Sequence, residues 1–166
     1  MPDAILNKPS PLTAEERQII EMHTLQGAKI LDGIDFLRAA RSGEAVRVGP
    51  RVVVIGGGNV SIDVALTALR QGARHVDLTS LEKRRDMPAS PDEIELAVAE
   101  GVQLYPGWGP LRFEEEGVAV FQFCERVKDE TGKFDPVFDG NRLLKLEADH
   151  VILATGQGTD LSCLEG

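Results

Sequence analysis

The chain has 166 residues, enough for one domain with a substantial core and too few for two comfortable ones. Hydrophobic residues make up 42% and charged residues 27%, ordinary for a globular protein, so disorder is not the default. With 18 Lys and Arg against 27 Asp and Glu the net charge is −9, which argues against nucleic acid or an anionic membrane as main partner.

No apolar run reaches the length of about 18 residues that a membrane span needs. The opening MPDAILNKPS lacks the charged-then-apolar pattern of a signal peptide, so a cytoplasmic location is expected. Cys124 and Cys163 lie far apart without a CxxC, and His23, His75 and His150 are scattered. Neither a disulfide framework nor a metal site is expected.

In chain order, residues 1–12 read as a proline-bearing tether. Thr13 and Glu16 form a capping box before a short helix with Ile19, Ile20, Met22 and Leu25 on its apolar side, ending near Gly27. Asp32 caps a second helix, Ile34 to Ser42, stopped at Gly43. Residues 1–48 are therefore read as a helical approach segment, 49–160 as a nucleotide-binding domain and 161–166 as a tail.

The domain begins with RVVVIGGGNVSID, Arg51 to Asp63. Val52 to Ile55 form a β-branched run, the mark of a strand buried on both faces. The glycines Gly56, Gly57 and Gly58 follow, and then a helical pattern carrying Ile62, Ala65, Leu66 and Leu69. Gly56-x-Gly58-x-x-Ser61 is a dinucleotide fingerprint with a serine in third place. The first glycine permits a tight turn, the second lets a diphosphate approach the backbone, and the small third residue lets helix and strand pack closely. Gly56, Gly57, Gly58, Asn59 and Val60 are the expected diphosphate holders, at the positive end of the helix.

A second strand, His75 to Leu81, closes in Glu82, which falls where an acidic residue meets the adenosine ribose, about 20 residues beyond the fingerprint. Ser90, Pro91 and Glu93 then supply a capping box for a helix running to Glu100. Val102 to Tyr105 reads as a third parallel strand, broken by PGWGP at Pro106 to Pro110. From there Leu111 to Phe113, Val118 to Val127 and Arg142 to Glu147 read as strands separated by EEEG, ETGK and DGN turns. The expected fold is α/β: a Rossmann-like parallel sheet in which a β-meander replaces the second crossover helix. Val151 to Ala154 is its last buried strand. Trp108 is placed either beside the nicotinamide end of the cleft or in packing at a domain junction, Asp63 either orients the glycine loop or caps locally, and Cys124 is a packing residue.

VVVIGGGN, the loop MPA with its following EIE, the break GWGP, the segment FDPVFDG and the strand VILATGQ occur in this order. The set resembles the nicotinamide-binding domain of the flavoprotein subunit of glutamate synthase and of related FAD-dependent pyridine-nucleotide oxidoreductases, over roughly residues 27–164. The resemblance implies NAD(P)H bound here and FAD on a second domain of the same polypeptide. It also implies an iron–sulfur subunit or domain as onward electron partner, and Ala154, Thr155 and Gly156 as the turn approaching the nicotinamide half. No catalytic residue is expected within the chain. Only one glycine fingerprint is present, so the chain is read as a nicotinamide domain separated from its flavin domain and inactive alone. NADPH-using members of this family carry two arginines where Leu81 and Glu82 stand here. A carboxylate at that place repels a 2′-phosphate, so NAD(H) is favoured over NADP(H). Lys83, Arg84 and Arg85 follow at once, and Arg84 is retained as the cation that would serve a 2′-phosphate. The alternative function is a non-catalytic dinucleotide-sensing or partner-binding module.

Overall fold

A computed structural model describes residues 28–155. Five parallel strands form one sheet in the order β1-β8-β2-β3-β4, and three antiparallel strands, β5-β6-β7, form a second. The parallel strands are β1 (Lys29–Asp32), β2 (Arg51–Ile55), β3 (His75–Ser80), β4 (Gln103–Pro106) and β8 (His150–Leu153). The meander consists of β5 (Trp108–Glu114), β6 (Val118–Lys128) and β7 (Phe134–Glu147). Three helices, α1 (Gly33–Arg41), α2 (Asn59–Arg70) and α3 (Pro91–Glu100), complete the described chain.

The layers follow from the alternation within β2. Val52 and Val54 point into a core shared with Phe36, Ile62, Ala65, Leu66 and Ile94 of the three helices. Val53 and Ile55 point the other way, into a core with Phe121 and Ala119 of β6 and Leu146 of β7. A strand covered by helices on one side and by a second sheet on the other has no polar face, which is why this run is apolar throughout. The meander carries the chain from the β4 edge back to β8, between β1 and β2.

Several local expectations meet their counterparts. Asp32 caps α1, its carboxylate accepting the N–H groups of Ile34 at 2.9 Å and Asp35 at 3.1 Å. Asp32→Ala is expected to lower stability by about 1 kcal/mol, the usual worth of such a cap, as read from the denaturant midpoint at unchanged slope. Gly101, at φ 109°, ends α3 in the left-handed conformation.

Other expectations need correction. The segment read as helical up to residue 48 contains β1, which pairs along its whole length with β8 from Lys29↔His150 to Asp32↔Leu153. The helix expected between Thr13 and Leu25 and the tail 161–166 lie outside the described residues. The PGWGP break turns only at Gly107 (φ 83°), and Trp108 to Pro110 already pair with β6. The DGN turn is a bulge inside β7. Pairing jumps from Gln122↔Leu143 to Phe123↔Asp139 because β6 runs straight past it, and Asp139 folds onto the N–H of Asn141 at 3.0 Å. At the opposite edge of the sheets Arg51 clamps the β7–β8 turn through Glu147 and Asp149, and this partnership holds the Asp149 carboxyl below its ordinary range.

Candidate functional site

The glycine turn leaves the sheet at the carboxyl ends of β2, β3 and β8, where ligands of open parallel sheets bind. Gly56 is held from both sides: its N–H donates to the Thr79 carbonyl at 2.9 Å, and the Ala154 N–H donates to Ile55 at 2.8 Å. At φ 152°, with a hypothetical Cβ only 2.6 Å from the Ala154 carbonyl oxygen, Gly56 admits no side chain. Gly58 is the N-cap of α2 and no side chain caps that helix. The Ser61 hydroxyl turns back to donate to the Gly58 carbonyl at 2.5 Å, leaving the first N–H groups of α2, at Asn59 and Val60, for a ligand or solvent. Nothing lies within 4 Å of where a Gly58 side chain would stand. An open, uncapped helix start beside a closed glycine is the arrangement a diphosphate needs.

Glu82 lies directly against this turn. The Ser80 hydroxyl donates to the Glu82 carbonyl at 2.8 Å, and the Gly107 N–H donates to the carbonyls of Ser80 (2.8 Å) and Glu82 (2.9 Å). The Glu82 carboxylate occupies the space beside Gly57, where a Cβ would stand 2.7 Å from Glu82 Oε2, 3.1 Å from Ser80 Cβ and 3.4 Å from Pro88 Cδ. Gly57 therefore makes room for a carboxylate. Burial pushes that carboxyl above its ordinary value, with its own backbone N–H and Lys128 pulling the other way.

The structure thus brings Gly56, Gly57, Gly58, Asn59, Val60, Glu82 and Ala154 together at one edge of the sheet. Thr155, half-buried, follows Ala154, and Gly156 lies outside the described residues. Arg84 stands exposed on a short 3-10 turn, Arg84–Asp86, and among the described residues no hydrogen bond or ion pair ties it to the glycine turn. Three participants escaped the sequence analysis: Ser80, which anchors Glu82; Pro88, whose ring borders the same space beside Gly57; and Ala89, whose N–H donates to the Gly57 carbonyl at 3.0 Å. The MPA motif was the available signal, since a buried Met87 and Ala89 around an exposed Pro88 mark a docked segment.

Trp108 meets Phe123 edge-on at 5.5 Å and packs against the meander core. Asp63 is exposed on α2, and Cys124 is buried with its thiol donating to the Arg126 carbonyl at 3.3 Å. Among the described residues no cluster of His, Cys, Asp and Glu could hold a metal ion, and no helix is long and apolar enough to cross a membrane.

A family model described as pyridine nucleotide-disulphide oxidoreductase matches residues 20–166. The beta subunit of an NADPH-Fe(3+) oxidoreductase from Geobacter sulfurreducens is 38% identical over 136 residues, covering 78% of this chain and 20% of that protein. The glutamate synthase [NADPH] small chain of Azospirillum brasilense is 35% identical over 127 residues, covering 74% of this chain and 26% of its own length. The chain thus spans only a fifth to a quarter of these relatives. Among solved structures, Mycobacterium tuberculosis FprA in complex with NADPH superposes with a TM-score of 0.60 at 16% identity, over 87% of this chain and 47% of that one. Thioredoxin reductase of T. acidophilum does so at 0.52 and 14%, over 73% and 36%. These two share the fold. Together with the glycine turn at the carboxyl edge of the sheet, the family match over nearly the whole sequence has one meaning: the chain belongs to the pyridine nucleotide-disulphide oxidoreductases, a family of NAD(P)H-dependent flavoprotein enzymes.

Proposed function

We propose that this chain is the nicotinamide-dinucleotide-binding domain of a flavin-dependent oxidoreductase similar to the glutamate synthase small chain, and that it prefers NADH. The observation that carries the proposal is the uncapped start of α2 over the Gly56–Gly58 turn, with the Glu82 carboxylate seated against Gly57. Both features fit a dinucleotide: free N–H groups for the diphosphate, and a half-buried acceptor beside them for the ribose hydroxyls.

In this reading the N–H groups of Asn59 and Val60 hold the diphosphate and Glu82 holds the adenosine ribose. Ala154, Thr155 and Gly156 lead toward the nicotinamide half. When bound, the nicotinamide supplies a hydride donor and the flavin of a second domain of the same polypeptide its acceptor. The residues of this chain orient the donor and contribute no acid or base. An iron–sulfur subunit or domain would take the electrons onward. The NADPH in the names of the relatives favours the other dinucleotide, and the exposed Lys83, Arg84 and Arg85 would then serve its 2′-phosphate.

Calorimetric titration with NADH and NADPH in parallel tests the proposal. Tighter binding of NADH is expected. A preference for NADPH would transfer discrimination to Arg84 and Arg85, and binding of neither would leave a non-catalytic, partner-binding module as the better account.

A further inference from the structure

We propose that Asn59 is a positioning residue for recognition of the adenosine ribose: its side chain faces away from the diphosphate and ties down the loop that carries Glu82. This inference rests on the dinucleotide function proposed above.

Asn59 Oδ1 accepts the N–H of Ser90 at 2.8 Å, and the neighbouring Gly57 carbonyl accepts the N–H of Ala89 at 3.0 Å. Two consecutive residues of the second loop are thus fastened to the glycine turn. Only the amide oxygen can receive an N–H, so the side chain's orientation is set by this bond. The bond also displaces a local one. In a capping box, Glu93 at N3 would return to the N–H of its N-cap, Ser90. Here the Ser90 hydroxyl still reaches the Glu93 N–H at 3.4 Å, but the Ser90 N–H belongs to Asn59. Glu93 Oε2 is left buried without a partner. A long-range tie has replaced the return half of the capping box while the Ser90 hydroxyl still caps the helix, and the second loop gains an anchor by it.

That anchor bears on Glu82 through Pro88. The Glu82 backbone is fixed upstream by Ser80 and Gly107. Its carboxylate shares the space beside Gly57 with Pro88, which stands one residue before the tied pair. Between the anchors Lys83, Arg84, Arg85 and Asp86 are all exposed, and the bonds they make stay within the segment: an Asp86-to-Lys83 turn bond of 2.8 Å and an Arg85–Asp86 ion pair of 3.3 Å. Releasing Ser90 removes one of the two bonds that tie this segment to the glycine turn, which loosens Pro88 beside Gly57 and lets the three cations drift toward the ribose site, so discrimination against a 2′-phosphate falls.

The test compares wild type, Asn59→Ala and Asn59→Asp by titration with NADH and NADPH, and by amide hydrogen exchange across residues 86–94 of the ligand-free chain. Asn59→Ala is expected to narrow the NADH-to-NADPH affinity ratio by about fivefold, the scale of one lost hydrogen bond, and to speed exchange across that segment. The chain should still fold, because Glu93 can reclaim the Ser90 N–H. Asn59→Asp keeps the acceptor while adding a charge near the diphosphate. It should weaken both dinucleotides alike and preserve both the ratio and the slow exchange. An Asn59→Ala protein that loses both affinities equally would overturn the role, since the side chain would then serve the diphosphate itself. Unaltered exchange would show that the tie holds nothing. Failure of the wild type to bind either dinucleotide would sink the proposed function, and this role with it, whatever the exchange shows.

Discussion

Gly56→Ala is expected to destabilise the fold by about 3 kcal/mol and to abolish dinucleotide binding, whereas Gly58→Ala should abolish binding with little loss of stability. The two glycines differ in what surrounds them. A Cβ on Gly56 would press on the backbone of Ala154, 2.6 Å from its oxygen and 2.9 Å from its carbonyl carbon, at φ 152°. Neither partner can step aside, because Ala154 is bonded to Ile55 and Gly56 to Thr79. The added methyl must therefore part β2 from β8 or distort the entry to α2. Gly58 sits at φ −93° and ψ 176°, a conformation open to any residue, with nothing near its missing side chain. Alanine there costs at most about 1 kcal/mol as a poorer N-cap, yet it fills the space through which a diphosphate reaches the helix start. Thermal unfolding together with calorimetric titration separates the two outcomes. Equal loss of stability in both variants would mean that the open space at Gly58 is a structural necessity and no ligand seat.

These glycines were legible in the sequence because their signals are local. A β-branched run, a three-glycine turn and an amphipathic helix follow one another within Arg51–Arg70, and each dictates its own geometry. The meander was legible for the same reason, through its EEEG and ETGK turns. What escaped depends on partners distant in the chain. The four residues of β1, KILD, carry charge at both ends and fall within the segment read as helical, and only the pairing offered by β8 makes them a strand. DGN is a good turn sequence, but a continuous β6 absorbed it as a bulge. The capping box at Ser90 was visible, and its reallocation to Asn59, 31 residues earlier, was not. Gly57 shows the same limit. Its glycine was assigned to the diphosphate, while the atom that most needs its missing side chain belongs to Glu82.

Glu82→Ala is expected to weaken NADH by ten- to hundredfold, the worth of about 1.5–3 kcal/mol for hydrogen bonds to a charged acceptor, while leaving NADPH unchanged or improved. The asymmetry follows from magnitudes. Two unit anions about 4 Å apart at an effective dielectric of about 20 repel by about 4 kcal/mol, and this half-buried carboxylate would impose that on a 2′-phosphate. Exposed side chains such as Lys83, Arg84 and Arg85 return only about 0–1 kcal/mol each in solvent-screened pairs. The carboxylate therefore wins while it is ionised and held beside Gly57. Its titration gives a second handle on the same question. Burial raises the Glu82 carboxyl, so its ionised form is lost at a higher pH than that of a surface glutamate. As pH falls through this range the repulsion vanishes, and the NADH-to-NADPH affinity ratio should decline in wild type by more than any change that titration of the 2′-phosphate itself produces in Glu82→Ala. Gly57→Ala offers a steric version of the same experiment. Its methyl would displace Glu82 Oε2, the movable end of a side chain, so selectivity should drop while the fold persists. A ratio unmoved by Glu82→Ala, by Gly57→Ala and by pH would remove Glu82 from the site and leave selectivity to the cations that follow it.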